Sequence, residues 1–158
     1  MRKVLLMAGV CALGALAYTL PAAAAPVVTP EHLTVYILPG RQGLPAPNGH
    51  RNDSYVPSSF VLKKGVPAVI RVINYDDGLH SMYAPGLGVN TIMMPGKHVG
   101  ATLQPTTTTF TVTPTKTGLF RWQCTIPCDG GINEHWAMSA GFDGHSQVGY
   151  MAGFFVVR

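Results

Sequence analysis

The 158-residue chain is poor in charge: Asp, Glu, Lys and Arg make up 11% of it, against roughly a quarter in ordinary soluble domains. With 7 Asp plus Glu in all, acid has few native ion pairs to break, so stability should depend weakly on pH. An acidic exterior or periplasm suits such a chain; a small apolar β-protein that is merely charge-poor fits equally well. Of the 11 Lys plus Arg, Arg2 and Lys3 fall in an N-terminal leader, which leaves nine against seven and a net charge of +2. That bias is too weak to imply a nucleic-acid partner. Also missing is any amphipathic helical pattern, and 18 Gly and 13 Pro leave long helices little room. No phosphate loop, nucleophile–base pair, general-acid carboxylate pair or calcium-type acidic cluster stands out, and nothing signals a substrate pocket.

The N-terminus, MRKVLLMAGVCALGALAYTLPAAAAPVV, has two basic residues, an apolar run from Val4 to Tyr18 and small residues from Ala22 to Ala25. This pattern is that of a secretory signal peptide over residues 1–25, cut near Ala25. The run is short for a membrane span, which needs about 20 residues, yet an uncleaved leader would tether the protein to a membrane. Cys11 lies inside the run and belongs to the leader. Residues 26–158 are then one domain with enough chain for a real core, and the expected location is periplasmic or otherwise extracytoplasmic, with membrane anchoring as the alternative.

What is present after Pro26 is a series of short, β-branched apolar segments separated by Gly, Pro and Asn: 33–38, 59–62, 68–75, 110–114, 118–124 and 152–157. In AVIRVINY, Val69, Arg71 and Ile73 alternate with Ile70, Val72 and Asn74, the two-residue period of a strand. TTTT at 106–109 reads as the approach to a strand, because threonine is β-branched and Phe110 and Val112 continue the alternation. Many short strands with frequent turns predict a β-sandwich or barrel. Residues 39–57 read as a long polar Gly/Pro-rich loop, functional or loosely ordered.

Soft and imidazole ligands gather in two regions. One is DDGLHSMYAPGLGV, with His80 just beyond a predicted strand and its turn. The other is FRWQCTIPCDGGINEHWAM, with Cys124, Cys128, His135 and Met138, followed by GHSQVGYMAGFFVVR with His145 and Met151. Thiolate, imidazole and thioether together favour copper, since sulfur is soft and methionine scarcely competes for zinc. Zinc on Cys124, Cys128, His80 and His135 is the alternative, and a Cys124–Cys128 disulfide is another in an exported protein. Such a bridge would close a tiny loop and leave the surroundings of His80 unexplained. Met82, Met93 and Met94 read as packing residues. Trp122 and Trp136, flanking the ligand loop, read as core or rim packing first and as a docking surface second.

GLHSMYAPGLGVNTIMMPGK resembles the first copper-ligand segment of the CuA domain of cytochrome c oxidase subunit II and nitrous oxide reductase. TGLFRWQCTIPC resembles the strand that leads into that domain's Cys-x3-Cys, and KKGVPAVIRVINYDDGLH is similar to a strand common to cupredoxins. The resemblance covers roughly residues 60–157 and implies an all-β, Greek-key cupredoxin β-sandwich holding copper for electron transfer. It departs from the CuA pattern at the ligand loop, which runs Cys124-x3-Cys128-x6-His135-x2-Met138, three residues longer before the histidine. The tail, in contrast, resembles the Gly-His…Gly-Met ending of rusticyanin-like mononuclear cupredoxins, and CTIP their Cys-x-Ile-Pro.

Two ligand sets follow from the resemblance. In the binuclear one, Cys124 and Cys128 bridge two coppers, His80 and His135 cap them, and Met138 with the Ile126 carbonyl completes the shell. In the mononuclear one, His145 and Met151 replace His135 and Met138 around a single copper. His80 and Cys124 belong to both. The expected function is that of an exported electron carrier rather than an enzyme, serving a respiratory chain through a redox partner such as a cytochrome c or a terminal oxidase. The alternatives are an oxidase subunit, a periplasmic copper chaperone or storage protein for oxidase assembly, and a zinc- or disulfide-stabilised interaction module.

Overall fold

A computed structural model describes residues 28–42, 44–45, 51–126 and 149–158. Their strands, in chain order, are β1 (Glu31–Leu38), β2 (Leu44–Pro45), β3 (Arg51–Asn52), β4 (Ser54–Val56), β5 (Ser59–Leu62), β6 (Ala68–Asn74), β7 (His80–Ala84), β8 (Val89–Met93), β9 (Lys97–Val99), β10 (Thr102–Gln104), β11 (Thr106–Val112), β12 (Gly118–Gln123) and β13 (Ala152–Val157). No α-helix occurs among the described residues, and no helix there is long and apolar enough to cross a membrane. The leader segment lies outside them.

Two sheets form the sandwich. One has the order β11-β6-β1-β4, the other β5-β13-β12-β7-β8. Pairing is antiparallel except for β1 with β6 and β13 with β5, which are parallel. Parallel neighbours cannot be joined by a tight hairpin, so the chain passes back and forth between the sheets; the architecture is the all-β sandwich that the strand pattern predicts, in the Greek-key form that the resemblance implies.

The inward faces follow the two-residue period. Val35 and Ile37 of β1, and Ile70 and Val72 of β6, are fully buried, with Val35 opposite Val72 in the parallel register. Phe60, Leu62, Trp122, Phe155 and Val157 face them from the other sheet. Each such side chain contributes roughly 1.5–3 kcal/mol by leaving water. Trp122 anchors the packing: its ring meets Tyr55 edge-on at 4.8 Å, and its Nε1–H donates to the Ser58 carbonyl at 3.0 Å. The core role expected of Trp122 is thus met, whereas Trp136 lies outside the described residues.

Several features are not given by the strand pattern alone. Residues 80–84 and 89–93 are strands, with His80 the first residue of β7 rather than part of a loop. Pro85, Gly86 and Gly88 between them disguise a hairpin that turns through a short 3-10 segment, Pro85–Leu87, with Gly88 left-handed at φ 69°. Second, Ile73 is buried although it shares the outer face with Val69 and Arg71, because Tyr36 and Thr107 flank it in register on both sides. Third, Met82 and Met93 are fully buried as packing residues, but Met94, one residue past β8, is 54% exposed and packs into nothing comparable. Within the stretch expected as a polar loop, β4 adds to the free side of β1 and turns Tyr55 inward.

Candidate metal centre

His80 and Cys124 converge at one end of the second sheet. β7 starts at His80, and β12 ends at Gln123, which pairs with Tyr83 of β7 on one side and Ala152 of β13 on the other. Cys124 therefore follows a strand clamped between two neighbours, and its N–H donates to the Met151 carbonyl at 2.7 Å. His80 is 1% exposed, and Cys124 and Met151 are fully buried.

The thiol lies in a set of fixed dipoles. The Ser81 backbone N–H donates to Cys124 Sγ at 3.3 Å, the Ser81 hydroxyl lies 3.7 Å from the same sulfur, and the sulfur is 3.5 Å from the Ile126 carbonyl. Ser81 Oγ in turn accepts from the Thr125 N–H at 2.8 Å and contacts Thr125 Oγ1 at 2.9 Å. The Ser81 carbonyl accepts from the Tyr55 hydroxyl at 3.0 Å. The strand of the imidazole and the strand of the thiol are thereby held in one register.

Around the imidazole the structure gathers two carboxylates. His80 Nε2 is 3.0 Å from Asp76 Oδ2 and 3.9 Å from Asp53 Oδ2. Ligand atoms of Asp53, Asp76 and His80 lie within 4.8 Å of one another. Burial alone would lower the His80 pKa, but the hydrogen bonds with Asp76 and Cys124 and the charge of Asp53 outweigh it and raise the value from its ordinary 6.5 to about 9. Burial likewise pushes Asp76 upward, and the hydrogen bond and charge of His80 with the Gly78 N–H reverse that, leaving its carboxyl below its ordinary 3.8. Neither carboxylate stands out in the sequence. They come from different loops, and Asp76 sits in an ordinary turn motif, Asp-Asp-Gly; the signal that could have flagged it is its placement four residues before His80.

Of the ligands expected from sequence, the structure brings His80 and Cys124 together and places Met151, the residue before β13, opposite Cys124, the two joined by a backbone hydrogen bond. Cys128, His135 and Met138, together with the alternative His145, lie outside the described residues, as does any Cys124–Cys128 bridge. The donors present, a buried sulfur and a buried imidazole, fit a soft or borderline transition metal and not a hard cation. The Asp53–Asp76–His80 group offers oxygen and nitrogen, but Asp76 Oδ2 already accepts from the Gly78 N–H at 2.8 Å and meets His80.

No protein-family model and no curated protein matches the chain in sequence. Its fold is similar to those of a blue copper oxidase from Nitrosomonas europaea (TM-score 0.54, 13% identity, 82% of this chain and 39% of that one) and a multi-copper oxidase from Pseudomonas thermotolerans (0.53, 14%, 84% and 30%). A copper nitrite reductase from Nitrosomonas europaea is comparable (0.50, 14%, 82% and 41%). The chain spans about two fifths or less of each of these proteins. At such identities the likeness is one of fold, and that fold is the cupredoxin β-sandwich.

Proposed function

We propose that this chain is a copper-binding electron carrier exported from the cytoplasm. The observation that carries the reading is the buried meeting of His80 and Cys124 with the Ser81 N–H aimed at the sulfur. Copper bound there would supply a one-electron Cu(II)/Cu(I) couple. The chain's own residues do the rest. The sandwich fixes the imidazole and sulfur on adjoining strands, so little need move when charge changes, and burial excludes water. The N–H and O–H dipoles of Ser81 disperse negative charge on the thiolate. The solved structures that share the fold are a blue copper oxidase, a multi-copper oxidase and a copper nitrite reductase, which supports the same metal.

A site this buried favours retention over delivery. A copper chaperone must surrender its metal to a partner, and ligands at 1% and 0% exposure are poorly placed for ligand exchange. The carrier would exchange electrons with a redox protein such as a cytochrome c or a terminal oxidase in an extracytoplasmic respiratory chain. Copper loaded into the chain should survive a chelator and undergo reversible one-electron reduction; rapid loss to the chelator would favour the chaperone reading.

The position of Met151 favours the mononuclear ligand set. It is fully buried, and its carbonyl is bonded to the Cys124 N–H, which puts its residue opposite the thiolate strand. With His145 as second imidazole, His80, Cys124, His145 and Met151 make a complete set around one copper. The binuclear set with Cys128, His135 and Met138 is the second reading, supported by the survival of both cysteines.

A further inference from the structure

We infer that Asp76, reinforced by Asp53, is a positioning residue for His80: it holds the ring by Nε2–H, so that the imidazole binds metal through Nδ1, and its charge stabilises the oxidised metal. The inference rests on the copper reading above.

The local chain is built to aim this carboxylate. The Asp76 N–H donates to Asn74 Oδ1 at 2.9 Å, while Asn74 Nδ2 donates to the carbonyls of Gly78 at 3.0 Å and Met94 at 3.1 Å. The Asp76 carbonyl accepts from the Gly96 N–H at 2.8 Å. The turn beyond is closed by the Gly78 N–H on Asp76 Oδ2; a Cβ at Gly78 would stand 2.4 Å from that oxygen and 3.5 Å from His80 Nε2, so a larger residue there would displace the carboxylate. Asp53 arrives from another part of the chain, its Oδ1 fixed by the Gly40 N–H and its Oδ2 turned toward the same ring nitrogen.

Packing does not explain this arrangement. Two carboxylates with side chains 7% and 12% exposed, set against one imidazole, carry a desolvation cost that apolar residues of like volume would avoid. What the pair does supply is chemistry. A carboxylate on the remote N–H fixes the tautomer and ring orientation of a ligating histidine and raises its basicity. Negative charge beside the ligand favours the cupric over the cuprous state. The Ser81 dipoles on the sulfur act in the opposite sense, so the two sides of the site set the potential against each other.

The test uses the full-length chain. In the metal-free protein, nuclear magnetic resonance should find the His80 Nε2–H proton downfield and protected from exchange, and Asp76→Asn should move it upfield as the acceptor loses its charge. In the copper-loaded protein, Asp76→Asn should shift the ratio of cupric to cuprous affinity roughly tenfold toward cuprous, a rise in potential of about 59 mV. Asp53→Asn, without the direct bond, should shift it in the same direction by roughly threefold. Asp77→Asn is the control: this neighbouring carboxylate is exposed and faces His98 at 3.4 Å, and its removal should leave the ratio unchanged.

An Asp76→Asn potential equal to that of Asp77→Asn, or a rapidly exchanging Nε2–H in the wild type, overturns the inference. Should Asp76→Asn not fold, an unshifted Asp53→Asn potential overturns it instead. A wild-type chain that takes up no copper refutes the function proposed above, and the Nε2–H measurement then decides the Asp76 contact by itself.

Discussion

The Ser81 backbone N–H lies 3.3 Å from Cys124 Sγ, tying the residue after His80 to the sulfur across two adjoining strands. The hydroxyl of the same serine, 3.7 Å from the sulfur, is the part a substitution can remove. Ser81→Ala should therefore lower the copper potential, because the thiolate loses a dipole and gives the cupric state more electron density. A weak hydrogen bond worth about 0.5–1.5 kcal/mol corresponds to roughly 20–65 mV for a one-electron couple. Voltammetry of wild type and variant checks this; an unchanged or raised potential would contradict it.

The His80 cluster also sets a pH dependence for the metal-free protein. His80 has its pKa raised to about 9 in the folded state from 6.5, so its contribution is complete below 6.5 and is lost as pH rises through about 9. Asp76 is lowered, so its contribution is complete above 3.8 and is lost as pH falls through its still lower folded value. Thermal unfolding of the metal-free chain should accordingly show Tm highest between about pH 4 and 6.5, falling by several degrees toward pH 10. A Tm that rises from pH 6.5 to 10 would contradict the cluster. The scarcity of carboxylates in the sequence predicts the same persistence in mild acid.

How much of this was legible beforehand depends on whether the cause was local. The strand at 152–157 and the alternation through Ile70 and Val72 could be read because strand period and burial are properties of contiguous residues. His80 and Cys124 could be named because their residue types and neighbours are specific. The β7–β8 hairpin could not, since Pro85, Gly86 and Gly88 look like a loop and only pairing with β12 reveals a strand. Nor could the carboxylate pair: a charged residue in a turn is normally solvated, and what buries Asp53 and Asp76 is the folding of separate loops over one ring. The burial of Ile73 is likewise not a local property, its cover coming from neighbouring strands.

Gly153 marks the closest approach in the second sheet. A Cβ there would lie 1.6 Å from the Ser58 carbonyl oxygen and 2.9 Å from Trp122 Nε1. Since that carbonyl accepts the Trp122 indole N–H, Gly153→Ala should break the indole bond and push β13 from the chain entering β5, at a cost above about 3 kcal/mol. Chemical denaturation measures it, and a loss under 1 kcal/mol would show that the backbone yields there more easily than the packing implies.

Nuclearity separates the two ligand sets. Met151 beside Cys124 favours one copper, so electron paramagnetic resonance of the cupric protein should show the four hyperfine lines of a single copper nucleus, and Cys128→Ala should keep its colour. A larger number of narrower lines, with colour lost in Cys128→Ala, would establish the binuclear set instead.

The most direct test of copper held by the His80–Cys124 pair is the visible spectrum of the cupric protein beside that of Cys124→Ser. Wild type should bind copper tightly and show an intense thiolate-to-copper charge-transfer band, and Cys124→Ser, which keeps the shape of the side chain and removes the sulfur, should fold and be colourless. A wild type without the band, or a Cys124→Ser protein that retains it, would contradict the assignment.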